Sequence, residues 1–501
     1  MNETTSEIDT PPGIHRLTRD IGFEAFREFL SRQSRIPGSR AVPVAAGYKM
    51  PLKKDTGRPN VVWLMADQLR ADVFGFLKKY NIQTPNIDRL ANESIVFENS
   101  FCAEPVCCPA RATLMTGHYP SKHGVLHNVG YPMRAEEMVL PKILSKNGYR
   151  TGLVGKSHDG RNAGEMWESF EYVEDAFGAT MPSKVCFNLK NFPSIKMISP
   201  KDGQDCNRVL YGTYPAGPEI SKSHLLSTRF MNLLYWHSQD RPFFFSLSLD
   251  DPHPPVVPPP PYDSMYAASD IIPEFFDDSG RSLAGKPATV KDWHRFYECD
   301  HISPNDYRKH AAHYLGLVSY VDTEIGRILD YLDETGLAQN TIVILNSDHG
   351  HMIGEHGLVH KGPFCYDGVI KIPTIIRWPG KIKPGLRNDA IVEGVDFLPT
   401  VLDMLGVRNS EEVHGRSLRP LWENPNIPWK EHAFIQWDDY IFCIRGKIWK
   451  LTWYESDKTG EMYNIQTDPF EKTNLFAESQ YQVERDELLN RLNEWRQKYA
   501  T

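Results

Sequence analysis

The segment Cys107-Cys108-Pro109-Ala110-Arg111-Ala112-Thr113-Leu114-Met115-Thr116-Gly117 puts two thiols and a guanidinium within one helical turn. Pro109 fits the first turn of a helix and Gly117 fits its end. Cys107 would then stand just before a helix N-terminus, where backbone N–H groups and the helix dipole stabilise an anion. A thiol so placed ionises more easily, and Arg111, one turn on, adds a fixed positive charge. Read alone, the segment offers either a reactive cysteine or a buried structural pair.

Other polar residues gather behind short apolar runs. Asp67 follows Val61–Ala66, and Lys156 and His158 follow Thr151–Val154. Asp250, Asp251 and His253 follow Phe243–Leu249, while Asp348 and His349 follow a run that begins Thr341–Leu345. Such runs are expected of buried parallel strands, and ligands bind at the carboxyl ends of those strands. Four ends that each deliver a carboxylate, a histidine or a lysine suggest one site joining metal ligands with cations for an anionic substrate. Asp67, Asp348 and His349 supply hard oxygens and one imidazole, and Gln68 can add an amide oxygen. That set suits Ca²⁺, Mg²⁺ or Mn²⁺. A lone Asp after a strand would otherwise read as a turn former or helix cap. His351, His356 and His360 crowd the next loop. With no C-x-x-C pair to support zinc, they read as a solvated His-rich loop.

The elements that must hold these residues alternate between strand and helix. Thr374–Trp378 is a further apolar run, and Tyr307–Thr335 carries Tyr314, Leu317, Val318, Val321, Ile325, Ile328 and Leu332 on one stripe, with Gly336 as a stop. Alternation of this kind implies an α/β fold with a mostly parallel sheet flanked by helices. Residues 1–58 read as an N-terminal extension with a short helix at Phe23–Leu30, and 59–426 as the catalytic α/β domain. Residues 427–501 read as a smaller α+β domain, with strands at Ala433–Trp437, Ile441–Ile444 and Trp449–Trp453, breaks at Gly446 and Gly460, and a helix carrying Val483, Leu488, Leu489, Leu492 and Trp495. Pro252–Pro261 holds seven prolines and reads as a stiff extended loop. With residues 262–306 it is a candidate pocket wall.

Bulk properties narrow the field. The chain has 501 residues, 41% hydrophobic and 24% charged, as in an ordinary globular protein. A net charge of −8 gives no excess of cations to neutralise phosphates, so nucleic acid is not an expected partner. No apolar stretch is long enough to span a bilayer, and no membrane association is expected. Eight cysteines in this length make no disulfide framework. Without a recognisable signal segment, a cytoplasmic location is the expectation.

Cys107-x-Pro109-x-Arg111, continuing to Leu114-Met115-Thr116-Gly117, resembles the signature of the formylglycine-dependent sulfatases. Gly155-Lys156-Ser157-His158 is similar to the family's second block. Asp67-Gln68, Pro252-His253-Pro254-Pro255, Ser347-Asp348-His349-Gly350, Gly354-Glu355-His356-Gly357 and Lys361 follow in family order. So do Met462-Tyr463-Asn464-Ile465, Asp468-Pro469-x-Glu471 and Asn474-Leu475. The resemblance implies an alkaline-phosphatase-like fold, and a Cys107 oxidised to formylglycine by a separate maturation enzyme. It implies one divalent cation, usually calcium, held by Asp67, Gln68, Asp348, His349 and residue 107. Asp348 would act as base toward the attacking hydroxyl. His253, with Lys361, would serve the leaving oxygen. Lys156, Lys361 and Arg111 would balance charge, and His158 would take the proton whose loss expels sulfate. Asn128 would contact substrate, unless it is the turn residue that an Asn before Gly130 usually is. The implied substrate is a small-molecule or saccharide sulfate ester, and an oligomer is compatible. Gln68 stands where many relatives carry a second Asp. An Asp-Gln pair also occurs in the related phosphonate monoester hydrolases, which makes a phosphonate monoester or phosphodiester hydrolase the main rival. A metal-binding protein with an unmodified Cys107, and a thiol-dependent hydrolase, rank below it.

Overall fold

The computed structural model describes residues 57–157, 170–175, 194–198, 208–237, 240–271, 283–408, 412–424 and 427–500. The helix expected at Phe23–Leu30 lies outside these residues, as does His158. In chain order the strands are β1 (Asn60–Ala66), β2 (Ile95–Phe101), β3 (Arg150–Gly155), β4 (Tyr172–Asp175), β5 (Lys196–Met197), β6 (Val209–Tyr211), β7 (Phe243–Leu249) and β8 (Thr341–Asn346). They continue with β9 (Met352–Ile353), β10 (Val359–His360), β11 (Thr374–Arg377), β12 (Leu386–Glu393), β13 (His432–Trp437), β14 (Ile441–Gly446), β15 (Trp449–Tyr454) and β16 (Thr459–Asn464). Four helices bear most on the site: α1 (Cys107–Thr116), α2 (Lys222–His237), α3 (Pro304–Glu334) and α4 (Gln482–Tyr499).

The main sheet has the order β12-β2-β11-β8-β1-β7-β3-β4. Its centre, β8-β1-β7-β3-β4, is parallel. Every residue of β1, β7 and β8 is buried, because helices cover both faces. Side chains on a strand alternate between faces. Val62 and Leu64 accordingly join Phe230 of α2 and Val318 and Ile325 of α3 in one core. Val61, Trp63 and Met65 join Ala112 and Leu114 of α1, with Leu398 and Val401, in the other. The long helix α3 starts where Ser303 accepts a hydrogen bond from the backbone N–H of Asp306, and Gly336 follows its end in the left-handed region (φ 72°).

The direction of β11 differs from expectation. It runs antiparallel to both β8 and β2; an apolar run fixes burial, not direction. Two further sheet strands, β2 and β12, are broken as apolar runs by exposed residues such as Glu98 and Arg387.

The C-terminal part forms a small antiparallel meander, β13-β14-β15-β16. Ile441 and Cys443 face the main body beside Phe101, Phe364 and Tyr366. Phe442, Ile444, Leu451 and Met462 face α4, whose Leu488, Leu492 and Trp495 cover them. Two expectations change here. Gly460 lies inside β16, where a Cβ would come within 2.5 Å of the Phe476 ring. Val483 is 77% exposed, on the outer side of α4. The proline segment packs inward, with Val256 and Val257 buried, and the Val256 and Pro258 carbonyls accept from Gly212 and Tyr214. Among the described residues, no helix is long and apolar enough to cross a membrane.

Candidate active site

The four parallel strands β8, β1, β7 and β3 end side by side, and their next residues meet in one place. Asp67 leaves β1 with its N–H on the Leu249 carbonyl (3.0 Å), and Lys156 leaves β3 with its N–H on the Ser248 carbonyl (2.8 Å). Gly155 permits the second of these turns. Its φ is +108°, and a Cβ would sit 2.0 Å from the Ser248 oxygen. The Ser347 hydroxyl stitches β8 to β1, donating to the Ala66 carbonyl and accepting from the Leu69 N–H (2.8 and 2.9 Å).

Cys107 opens α1, as its sequence context indicates, and the whole helix is buried. Its N-cap, Val106, offers no side-chain oxygen. The cap comes from Asn128, whose Oδ1 accepts from the backbone N–H of Cys108 at 3.0 Å. This assigns the carbonyl end of Asn128, expected to touch substrate, to the helix that Cys107 opens. Cys107 Sγ lies 3.0 Å from Lys361 Nζ, 3.3 Å from His349 Nε2, 3.8 Å from Asp67 Oδ1 and 3.9 Å from Lys156 Nζ.

Arg111 ties the cluster together. Its Nε donates to Asp348 Oδ2 (2.9 Å) and its Nη2 to Asp67 Oδ2 (3.0 Å), while Nη1 donates to the Lys156 carbonyl (2.9 Å) and the Ser248 hydroxyl (2.8 Å). Lys156 Nζ adds a second cation 2.6 Å from Asp67. Burial and the neighbouring Cys107 push the Asp67 carboxyl up, but Lys156, His253 and Arg111 more than offset this and hold it well below the usual range. Burial likewise disfavours the Lys156 ammonium, and Asp67, Cys107 and Asp250 outweigh it, so its pKa rises. His253 goes the other way. Burial, then Lys156 and Lys361, lower its pKa, so the ring is held neutral. Its Nδ1 lies 2.8 Å from the Pro254 carbonyl, which places the proton there and leaves Nε2 on the side of the ring that meets the Cys107 thiol.

Asp67, Cys107, Asp348 and His349 bring one ligand atom each to within 4.8 Å of one another, all buried. Two carboxylates, a sulfur atom and an imidazole, shut off from solvent, fit a divalent cation. Gln68 borders this set. Its φ of 65° is a left-handed conformation that costs a non-glycine residue about 1–2 kcal/mol. It is held there by its N–H on Asp348 Oδ1 (3.0 Å) and its carbonyl on the Tyr314 hydroxyl (2.8 Å). Tyr314 shows in the sequence only as a core position of α3.

The loop histidines are not solvated. His351, His356 and His360 are all buried. His356 stacks on Tyr366 at 4.0 Å between ring centroids. His351 stacks on Tyr314 at 4.7 Å and meets His310 of α3 at 3.1 Å. Asp250 pairs with Lys222, and Asp251 with the Ser223 hydroxyl at 2.5 Å, both partners at the start of α2. An aromatic edge borders the cluster. Trp293 Nε1 donates to the Lys361 carbonyl (3.1 Å) and its ring lies 6.2 Å from Trp437, which lies 6.4 Å from His127, next to Asn128. That edge contacts both Lys361 and the Asn128 segment, the two flanks of Cys107.

The sulfatase family model matches residues 59–407, the whole region that builds this cluster. The chain belongs to the sulfatase family. It is a sulfuric ester hydrolase with an alkaline-phosphatase-like fold. A model for the C-terminal part of N-sulphoglucosamine sulphohydrolase matches residues 354–498 of the sulfatase. The sulfatase is 26% identical to an N-acetylglucosamine-6-O-sulfatase from Bacteroides thetaiotaomicron, over 92% of this chain and 91% of that protein. It is 29% identical to an arylsulfatase from Clostridium perfringens, over 86% and 93%. A structure solved with its substrate D-glucosamine-2-N,6-O-disulfate superposes with a TM-score of 0.69 at 26% identity, covering 88% of this chain and 98% of that one. The phosphonate monoester hydrolase of Agrobacterium radiobacter shares the fold, with a TM-score of 0.73 at 24% identity, covering 88% and 96%.

Proposed function

We propose that this sulfatase cleaves a sulfate ester from a sugar, using a formylglycine made from Cys107 by a separate maturation enzyme and one divalent cation. Calcium is the first choice, with magnesium and manganese next. The observation that carries the reading is the setting of Cys107: Sγ 3.0 Å from the Lys361 ammonium, inside a buried donor set of two carboxylates and an imidazole. Asp67, Asp348 and His349, with Gln68 beside them, would hold the cation. A cation there would neutralise anionic charge and make a hydroxyl on residue 107 more acidic. The hydrate of an aldehyde at residue 107 supplies one hydroxyl to attack sulfur and a second whose deprotonation releases sulfate, where a serine ester would need water.

The chain's own groups do the rest. Lys361 and Lys156 bracket residue 107 and attract the sulfate oxygens. His253 turns an unprotonated Nε2 toward residue 107; at that atom it would take the proton of the attacking hydroxyl and pass it to the leaving oxygen. Asp348 has Oδ1 on two backbone N–H groups and Oδ2 on Arg111. These engagements favour a ligand role over that of a base. His158 keeps its assignment as acceptor of the final proton. The saccharide reading is supported by the two glucosamine-sulfate relatives. Trp293, half-buried beside Lys361, adds a flat, amphipathic ring of the kind on which sugars pack.

The reading is tested on matured protein by comparing kcat/KM for glucosamine 6-sulfate with that for a phenylphosphonate monoester. A higher value on the sugar sulfate is expected. A higher value on the phosphonate would overturn it.

A further inference from the structure

Gln68 leads inward to two histidines for which the reaction above has no use. Its Nε2 lies 2.5 Å from His351 Nδ1, His351 Nε2 lies 3.1 Å from His310 Nε2, and His310 Nδ1 lies 2.6 Å from the Leu210 carbonyl. On the outer side, Lys361 Nζ lies 3.3 Å from Gln68 Oε1.

The two ends fix the direction of the whole row. An ammonium only donates and a carbonyl only accepts, while a neutral imidazole does one of each. Lys361 must therefore face the oxygen of the Gln68 amide. The Leu210 carbonyl, at 2.6 Å, takes Nδ1–H of His310 ahead of Met352, the ring's other backbone partner, so His310 Nε2 accepts from His351 Nε2–H. His351 Nδ1 is then an acceptor, and it faces the amide N–H of Gln68. One order of donors and acceptors satisfies all four contacts. Flipping the Gln68 amide would set donor against donor at Lys361 and acceptor against acceptor at His351. Both rings are fully buried, and a neutral imidazole, with one donor and one acceptor, is the form that a buried row of this kind accommodates. Tyr314 clamps the arrangement, with its ring 1° from parallel to His351 and its hydroxyl on the Gln68 carbonyl. A carboxylate at position 68 could not donate to His351 Nδ1. The acceptor face of His351 therefore suits a glutamine.

We propose that His351 is a positioning residue for the cation: through this one-way row it holds the Gln68 amide with its oxygen toward Lys361, leaving that oxygen's second lone pair for the metal. The proposal rests on the cation reading given above. It is tested by calorimetric titration of Ca²⁺ alone into the metal-free full-length protein and into His351→Phe, His351→Asn, Gln68→Ala and the Gln68→Ala/His351→Phe double variant, with thermal melts in chelator to check folding. His351→Phe should weaken Ca²⁺ binding about tenfold or more, as loss of a residue that orients a ligand does. It should cost nothing further in the Gln68→Ala background. His351→Asn, whose side-chain oxygen can accept from Gln68, should recover part of the loss. An equal loss in both backgrounds, or none in either, would overturn the proposal; should His351→Phe fail to fold, an His351→Asn protein that binds Ca²⁺ no better than Gln68→Ala would do the same. No binding of Ca²⁺, Mg²⁺ or Mn²⁺ by the unaltered protein would instead overturn the cation reading, and this inference with it.

Discussion

Replacing Arg111 by methionine should destabilise the metal-free protein by about 3–5 kcal/mol, the usual cost of removing one partner from a buried ion pair. The guanidinium is 2% exposed and makes four hydrogen bonds, two of them to the carboxylates of Asp67 and Asp348. Asp67 would keep Lys156 at 2.6 Å. Oδ2 of Asp348 would keep no partner among the described residues, in a setting already crowded with Asp67 and Cys107. Methionine fills much of the volume, so the loss reports charge and hydrogen bonding rather than a cavity. Arg111→Lys should fall between the two, because an ammonium keeps the charge but cannot fork between both carboxylates. Urea unfolding in chelator measures the cost. Repeating it in excess Ca²⁺ should shrink the difference, since a bound cation supplies part of the missing charge and stabilises the folded state. A cost under about 1 kcal/mol in chelator, the size expected of an exposed pair, would refute the reasoning.

Two further perturbations follow from particular contacts. His123 is fully buried, with Nδ1 accepting from the Val125 N–H at 3.1 Å, and burial, His118 and His414 push its pKa from 6.5 down to about 3. Its contribution is complete above pH 6.5 and is lost as pH falls toward 3, because the unfolded chain takes the proton first; at pH 5 this amounts to roughly 2 kcal/mol. Melts at pH 7 and pH 5 should therefore show a smaller acid-induced drop in His123→Asn than in the parent; equal drops would contradict the assignment. Gly155→Ala should cost at least about 3 kcal/mol through displaced backbone, since its Cβ would lie 2.0 Å from the Ser248 oxygen. A variant melting with the parent protein would show that the turn can relax.

Much of the site was legible in the sequence because it is carried by local rules. Apolar runs mark the strands, and the residues just past Ala66, Gly155, Leu249 and Asn346 are delivered to one edge whatever the loops do. Pro109 and Gly117 mark the ends of α1, and Cys107 falls where they place it. What escaped depends on contacts between distant segments. His351 reads as a solvated loop residue until His310 and Tyr314, both on α3, close over it. Tyr314 reads as core because a helical stripe does not distinguish a packing ring from one whose hydroxyl fixes Gln68. Asn128 looks like a turn residue or a substrate contact, and its partner, the Cys108 N–H, lies twenty residues back. The direction of β11 and the burial of Gly460 are likewise set by neighbouring strands and by Phe476, not by their own segments.

The most direct test is the mass of the peptide carrying Cys107, taken from protein produced together with a formylglycine-generating enzyme and assayed in parallel for sulfate release. The account predicts the aldehyde mass at residue 107, with turnover in proportion to the modified fraction. A peptide that keeps its thiol mass while the protein turns over sulfate ester at full rate would contradict it.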